Sequence, residues 1–63
     1  MSDPSIPHRQ SSIVELREDA GEWRVRILEA GNETVRSFTR RDYAESFAEG
    51  QRLRLGLSSI ERS

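Results

Sequence analysis

Cysteine is absent from this sequence, so neither a disulfide bond nor a thiolate metal site can form. The single histidine, His8, lies among Pro4, Pro7 and polar residues, which predicts no metal site there. A chain of 63 residues buries only about 60% of the surface that its unfolded form exposes, and one such core supplies roughly 3 to 5 kcal/mol. Since these supports of small domains are missing, we expect association with another chain to stabilise this one.

Long apolar runs and lysine are also absent. No stretch approaches the ~18 residues of a membrane span or the apolar region of a signal peptide, which predicts a cytoplasmic protein without a membrane partner. All ten basic residues are arginine, and eleven acidic residues give a net charge of −1, so the net charge gives no sign of a nucleic-acid partner. One explanation for the missing lysine is biased codon usage. Arginine also binds carboxylates and phosphates with its planar guanidinium, so recognition stays open.

The residue patterns of catalytic sites are missing as well. The only histidine stands in a polar terminal segment, and no glycine-rich loop is present to hold a phosphate. Glu18 and Asp19 stand at a predicted hairpin end, where solvation is their expected role, and Tyr43 is interpreted as a boundary residue of the core. We therefore predict no enzymatic activity, no cofactor and no small-molecule substrate.

Three segments, residues 12–18, 22–28 and 33–38, have the apolar and polar alternation of β-strands. The pairs Ala20-Gly21 and Gly31-Asn32 separate them, and each fits a two-residue hairpin loop. The segments therefore predict a three-stranded antiparallel β-meander.

A helix is predicted after the third strand. Thr39 and Asp42 make a capping pair for a helix beginning at Arg40. The inward face has the helical spacing and is formed by Ala44, Phe47, Ala48, Gln51 and Leu55. Gly56 and Leu57 fit a Schellman-type end.

The end of this helix has an alternative interpretation. In residues 52–57 the apolar side chains of Leu53, Leu55 and Leu57 alternate with Arg52, Arg54 and Gly56. This alternation is that of a strand, and Gly50 would then stop the helix early. The good helix formers in the segment favour the helix. The predicted fold is α+β, with three antiparallel strands packed on one C-terminal helix (βββα). Residues 12–57 form the single domain, between disordered tails at residues 1–11 and 58–63.

The first hairpin loop pairs Leu16 with Val25 and Val14 with Ile27, because a slip of one residue would turn every apolar side chain to the other face. The second predicted loop, Gly31-Asn32, pairs Val25 with Phe38. The resulting inner face, covered by the helix, consists of Val14, Leu16, Trp23, Val25, Ile27 and Phe38.

The outer face, on the other side of the sheet, then has three rows. Arg17 lies beside Arg24 in the first row. The second row is Glu15, Arg26 and Ser37, and the third is apolar, with Ile13, Leu28 and Val35. These outer residues also have structural explanations that involve no binding partner. Arg26 would pair with Glu15 across the strands, and Ile6 or Ile60 would cover the apolar row. A shifted second hairpin would turn Val35 inward.

The pattern of Trp23, Val25, Gly31, Ser37, Phe38, Thr39, Ala44 and Ala48 resembles the small arm-type (AP2-like) DNA-binding domains of tyrosine recombinases. It is also similar to short bacterial proteins with the same strand order. The resemblance covers residues 13–55 and implies a sheet whose outer face lies in the DNA major groove. In this sequence that role would fall on Arg17, Arg24 and Arg26. The lysine-rich strands and net positive charge of the recombinase domains are missing here.

Arg40 and Arg41 are unusual for the first turn of a helix, where the dipole disfavours cations. The structural explanation is an ion pair between Arg41 and Glu45, one turn on. The functional alternative is an anion site, in which free backbone N–H groups and two guanidiniums bind a phosphate or a partner's carboxylate.

Two functions are therefore predicted. The first is a non-enzymatic protein-interaction module, homodimeric through the outer face, with Ile13, Leu28 and Val35 at the interface. The alternative is a small DNA-binding protein that uses Arg17, Arg24, Arg26, Arg40 and Arg41. Near-zero net charge and the small core favour the first.

Overall fold

The computed structural model describes residues 12–62. Their elements follow the order β1 (Ile13–Asp19), β2 (Glu22–Glu29), β3 (Asn32–Phe38), α1 (Arg41–Leu55) and β4 (Glu61–Arg62). The sheet has the strand order β3-β2-β1-β4, and all neighbours are antiparallel except β1 and β4, which are parallel. The α+β prediction of a meander packed on one helix is confirmed, with a short fourth strand added. The predicted N-terminal tail, including Ile6, lies outside the described residues.

Both hairpin loops consist of an alanine followed by a glycine. Ala20 and Gly21 have φ of 54° and 85°, and Ala30 and Gly31 have 51° and 85°. Two consecutive residues with positive φ are the pattern of a type I′ turn, whose twist matches that of antiparallel strands. The first loop was predicted correctly. The second was placed one residue too late in the chain.

The second hairpin therefore has a different register from the predicted one. Leu16 pairs with Val25 as expected, but Phe38 pairs with Trp23, and Val25 pairs with Arg36. The Ala-Gly turn decides this register, because it ends β2 and begins β3 one residue earlier than a Gly-Asn turn would. The shift moves β3 by two positions along β2. Since strand side chains alternate with a period of two, every residue of β3 keeps its predicted face.

The core lies between the inner face of the sheet and α1. Its buried residues are Val14, Leu16, Val25, Ile27, Ala44 and Ala48. Half-buried side chains pack around them, namely those of Trp23, Phe38, Phe47, Leu55, Leu57 and Ile60. The predicted inner face is confirmed. The two alanines let α1 approach the sheet closely, and the rings of Phe38 and Phe47, 5.5 Å apart, close one side.

The helix begins at Arg41, and no side chain caps it, so the predicted Thr39 cap was wrong. Asp42 instead accepts a hydrogen bond from the N–H of Tyr43 at 3.0 Å. At the other end Gly56 has φ of 71°, and its N–H donates to the carbonyl of Leu53 at 3.2 Å. The N–H of Leu57 donates to the carbonyl of Arg52 at 3.0 Å. This is the predicted Schellman end, so residues 52–57 form no strand.

The C-terminal tail was predicted to be disordered from residue 58, and here the structure differs. Ile60 packs against the core, and Glu61–Arg62 pairs with Glu15 and Leu16 of β1. The left-handed turn at Gly56 reverses the chain toward β1, and Ile60 supplies an apolar anchor. Ile60 therefore packs with the inner core. The alternative in which Ile60 covers the outer apolar row is wrong.

No helix within residues 12–62 has the length and apolar character needed to cross a lipid bilayer.

Candidate functional site: the outer face of the sheet

The outer face is the side of the sheet that the helix leaves uncovered. Alternation along the strands places Ile13, Glu15, Arg17 and Asp19 of β1 on this face, because Val14 and Leu16 are buried on the other. Cross-strand pairing extends it to further residues of β2, β3 and β4, namely Glu22, Arg24, Arg26, Leu28, Glu33, Val35, Ser37 and Glu61.

The predicted apolar row of Ile13, Leu28 and Val35 does not form as a single row. Ile13 still pairs with Leu28, but the third member of that row is Glu33. Val35 pairs with Arg26, so it is diagonal to Leu28. Diagonal neighbours on one face are roughly 7 to 8 Å apart, within reach of longer side chains. The three residues therefore share a face and form a bent patch, in which Ile13 is 38% and Val35 51% exposed while Leu28 is half-buried.

Arg26 lies at the centre of the outer face between two carboxylates. Its Nη1 donates to Oε1 of Glu15 at 3.1 Å, and its Nε donates to Glu33. These hydrogen bonds, chiefly the one that Glu33 accepts, raise the pKa of Arg26. The predicted pair of Arg26 and Glu15 is confirmed, and Glu33 joins β3 to it. The guanidinium thus links β1 and β3 across β2 and is occupied within its own chain.

The remaining outer arginines differ in their partners. Arg24 lies 3.4 Å from Asp19 and 3.8 Å from Glu22, at the end of the first hairpin. Arg17 makes no ion pair within residues 12–62. Three arginines face five carboxylates across this surface, a net charge of −2.

The start of α1 was the second predicted site. Arg40 donates to both carboxylate oxygens of Asp42, at 3.0 and 2.8 Å, which lowers the pKa of Asp42. Arg41 donates to Glu45 at 3.5 Å, so the predicted ion pair is confirmed, and it also lies 5.6 Å from the ring centre of Trp23. Carboxylates of the same chain thus engage both guanidiniums that an external anion would need.

Sequence reasoning missed one feature beside this face, the edge formed by β3. Every residue from Asn32 to Ser37 is exposed, and within residues 12–62 no strand pairs with the far side of β3. On its inner side Arg36 lies 5.5 Å from the ring centre of Phe47, above an open groove of about 260 Å³ between β3 and α1. The polar composition of β3 was the sequence signal for this edge. An edge strand has no neighbouring strand on one side, so its residues stay exposed to solvent.

No protein-family model, curated protein or solved structure shows detectable similarity to this chain. The resemblance to arm-type DNA-binding domains therefore stays a prediction.

Proposed function

We propose that this protein is a non-enzymatic protein-interaction module that associates with a second copy of itself through the part of its sheet around Val35. The observation that supports this proposal is Val35, an apolar side chain of β3 that is 51% exposed on the outer face. The cytoplasm is the compartment that we propose for it.

The physical argument rests on the size of the core. Within residues 12–62 only six residues are buried in it, two of them alanines, so the sheet and helix alone bury little apolar surface. Covering Val35 and the surface around it with a second copy would remove further apolar area from water, at about 25 cal/mol per Å². The charged residues around Val35 are of both signs, and such a surface complements another protein better than it complements a polyanion.

Binding of duplex DNA receives no comparable support. Four of the five arginines predicted for it, namely Arg24, Arg26, Arg40 and Arg41, pair with carboxylates of their own chain. Breaking those pairs would offset part of any gain from phosphate contacts. We therefore propose no nucleic-acid partner.

Sedimentation equilibrium of the wild type and Val35→Arg between about 10 μM and 1 mM tests the proposal, because a dissociation constant of 1 mM corresponds to only about −4 kcal/mol. We expect the wild-type mass to rise toward that of a dimer with concentration. Val35→Arg should stay monomeric, since a charge at this position opposes burial. Val35→Thr is the matched control, because it keeps the β-branched shape and should still associate.

A wild-type protein that stays monomeric over this whole range contradicts the proposal. So does a dimer of unchanged affinity in Val35→Arg, provided that circular dichroism shows both proteins folded.

A further inference from the structure

We propose that the two copies meet edge to edge, with β3 of one copy antiparallel to β3 of the other and Val35 on the two-fold axis. This inference rests on the proposed self-association and specifies its geometry. The two sheets would join into one continuous sheet, and the contact would differ from a face-to-face stack of the outer surfaces.

The two outer strands of the three-stranded meander, β1 and β3, differ in whether another strand pairs with their outer side. The outer edge of β1 is paired with β4 at Glu15 and Leu16. The outer edge of β3 extends over seven residues and has no pairing strand within residues 12–62. β3 contains no proline or lysine, two residue types that commonly prevent edge strands from pairing. A long edge of this kind is a template for another strand.

Strand geometry identifies the backbone groups that are available at this edge. The two-residue turn makes Glu29 and Asn32 a hydrogen-bonded pair, and such pairs alternate along an antiparallel ladder. Thr34 and Arg36 therefore bond toward β2. The N–H and C=O groups of Glu33, Val35 and Ser37 point to the open edge.

The three edge-facing residues are complementary to a second copy of themselves. Antiparallel pairing about Val35 places Val35 opposite its counterpart and Glu33 opposite Ser37, whose hydroxyl can donate to the carboxylate. All edge-facing backbone groups of both copies are then used. A shift by two residues leaves Glu33 or Ser37 unpaired, and one such shift also places the two Arg36 side chains opposite each other.

The inner side of the same junction is compatible with this register. Arg36 would lie opposite Thr34 of the second copy, so no like charges are directly opposed. Its guanidinium already lies over the ring of Phe47 and leaves the plane of the strand. The charged side chain at this edge therefore does not block the approach of a second β3.

Amide hydrogen exchange, measured by NMR on the full chain, tests the register directly. Spectra at about 20 μM and about 1 mM bracket the weak association expected for a small interface. The amides of Glu33, Val35 and Ser37 should exchange roughly 2- to 5-fold more slowly at the higher concentration, because only the free monomer exposes them to solvent. Those of Thr34 and Arg36 should change little, because they already bond to β2.

Three variants separate an edge contact from a face contact. Val35→Pro removes an N–H that the protomer itself does not use, and edge strands tolerate proline, so the variant should fold and stay monomeric. Val35→Thr keeps the N–H and should dimerise. Leu28→Arg alters the outer face away from the edge and should also dimerise.

A concentration-dependent dimer without the alternating protection overturns the edge geometry and leaves the proposed self-association standing. A monomeric Leu28→Arg together with a dimeric Val35→Pro has the same consequence, because the contact would then lie on the face. Protection of Glu33, Val35 and Ser37 that does not depend on concentration also overturns the edge geometry, because a segment of the same chain such as residues 1–11 would then occupy the edge. A monomer at both concentrations removes both proposals.

Discussion

Leu16, Val14 and Val25 are the largest side chains that the fold buries completely, and they lie where β1, β2 and α1 meet. A core this small cannot compensate for the loss of the contacts of one residue. Each of its residues therefore contributes a large share of the total free energy of unfolding.

Leu16→Ala should reduce the free energy of unfolding by about 2 to 5 kcal/mol, because it leaves a cavity at the centre of the core. This loss is comparable to the whole stability expected of the domain, so the variant should be largely unfolded at 25 °C. Leu53→Ala is the matched control, since Leu53 is 63% exposed on α1 and should change stability by less than about 0.5 kcal/mol. Urea unfolding followed by circular dichroism measures both. Equal midpoints for the two variants would show that Leu16 is not a core residue.

At the scale of elements, turns and helix ends decide where each strand and the helix begin and stop. The Ala-Gly pairs with positive φ determine both hairpin registers, and Gly56 ends α1. Gly50 differs from these glycines, because it lies inside the helix and a Cβ there would meet no atom within 4 Å beyond its chain neighbours and the adjacent helix backbone. Gly50 therefore affects stability through the conformational freedom that it gives to the unfolded chain.

Two glycine substitutions should therefore have opposite effects. Gly50→Ala should raise stability by about 0.5 to 1 kcal/mol, because alanine favours the helix. Gly56→Ala should lower it by about 1 to 2 kcal/mol, because its left-handed φ of 71° strains a residue with a Cβ. Each kcal/mol corresponds to a shift of roughly 4 to 8 °C in Tm for a domain of this size, which calorimetry resolves. A lower Tm for Gly50→Ala would indicate that the helix ends at Gly50.

At the scale of the whole molecule, ion pairs connect parts of the chain that are distant in sequence. Arg62 of β4 donates to both oxygens of Glu45 on α1, at 3.0 and 2.9 Å, and Arg54 donates to Glu29 of β2 at 3.0 Å. The hydrogen bond from Arg62 lowers the pKa of Glu45, and that from Arg54 lowers the pKa of Glu29. The acids are accessible to solvent, so each pair adds modestly to stability.

Acidification should therefore weaken the fold. A carboxyl group whose pKa is lowered in the folded state stabilises the protein above its ordinary value of 4.5, and this contribution is lost as the pH falls through the lower folded value. Glu45→Gln should be less stable than the wild type at pH 7 and lose less stability between pH 7 and pH 3. Glu18→Gln, at an exposed position of β1, removes the same charge as a control. Urea unfolding at both pH values measures the difference. Parallel pH profiles for wild type and Glu45→Gln would contradict this assignment.

The sequence by itself determined the faces of the strands and the helix. Val14, Leu16, Val25 and Ile27 alternate with polar residues, and burial requires only that this period of two be kept. The Schellman end at Gly56 was also predictable, since few residues other than glycine adopt a left-handed φ without strain.

Other features depended on the tertiary structure. The second register was decided by which glycine-containing pair formed the turn, and a shift by two residues preserves the apolar pattern on which the prediction relied. This choice moved Val35 beside Arg26 and broke the predicted apolar row. The position of Ile60 against the core and the pairing of β4 with β1 depend on contacts between chain ends that no local pattern encodes. The open edge of β3 arises for the same reason, because only the assembled sheet shows which strand has no neighbour within residues 12–62.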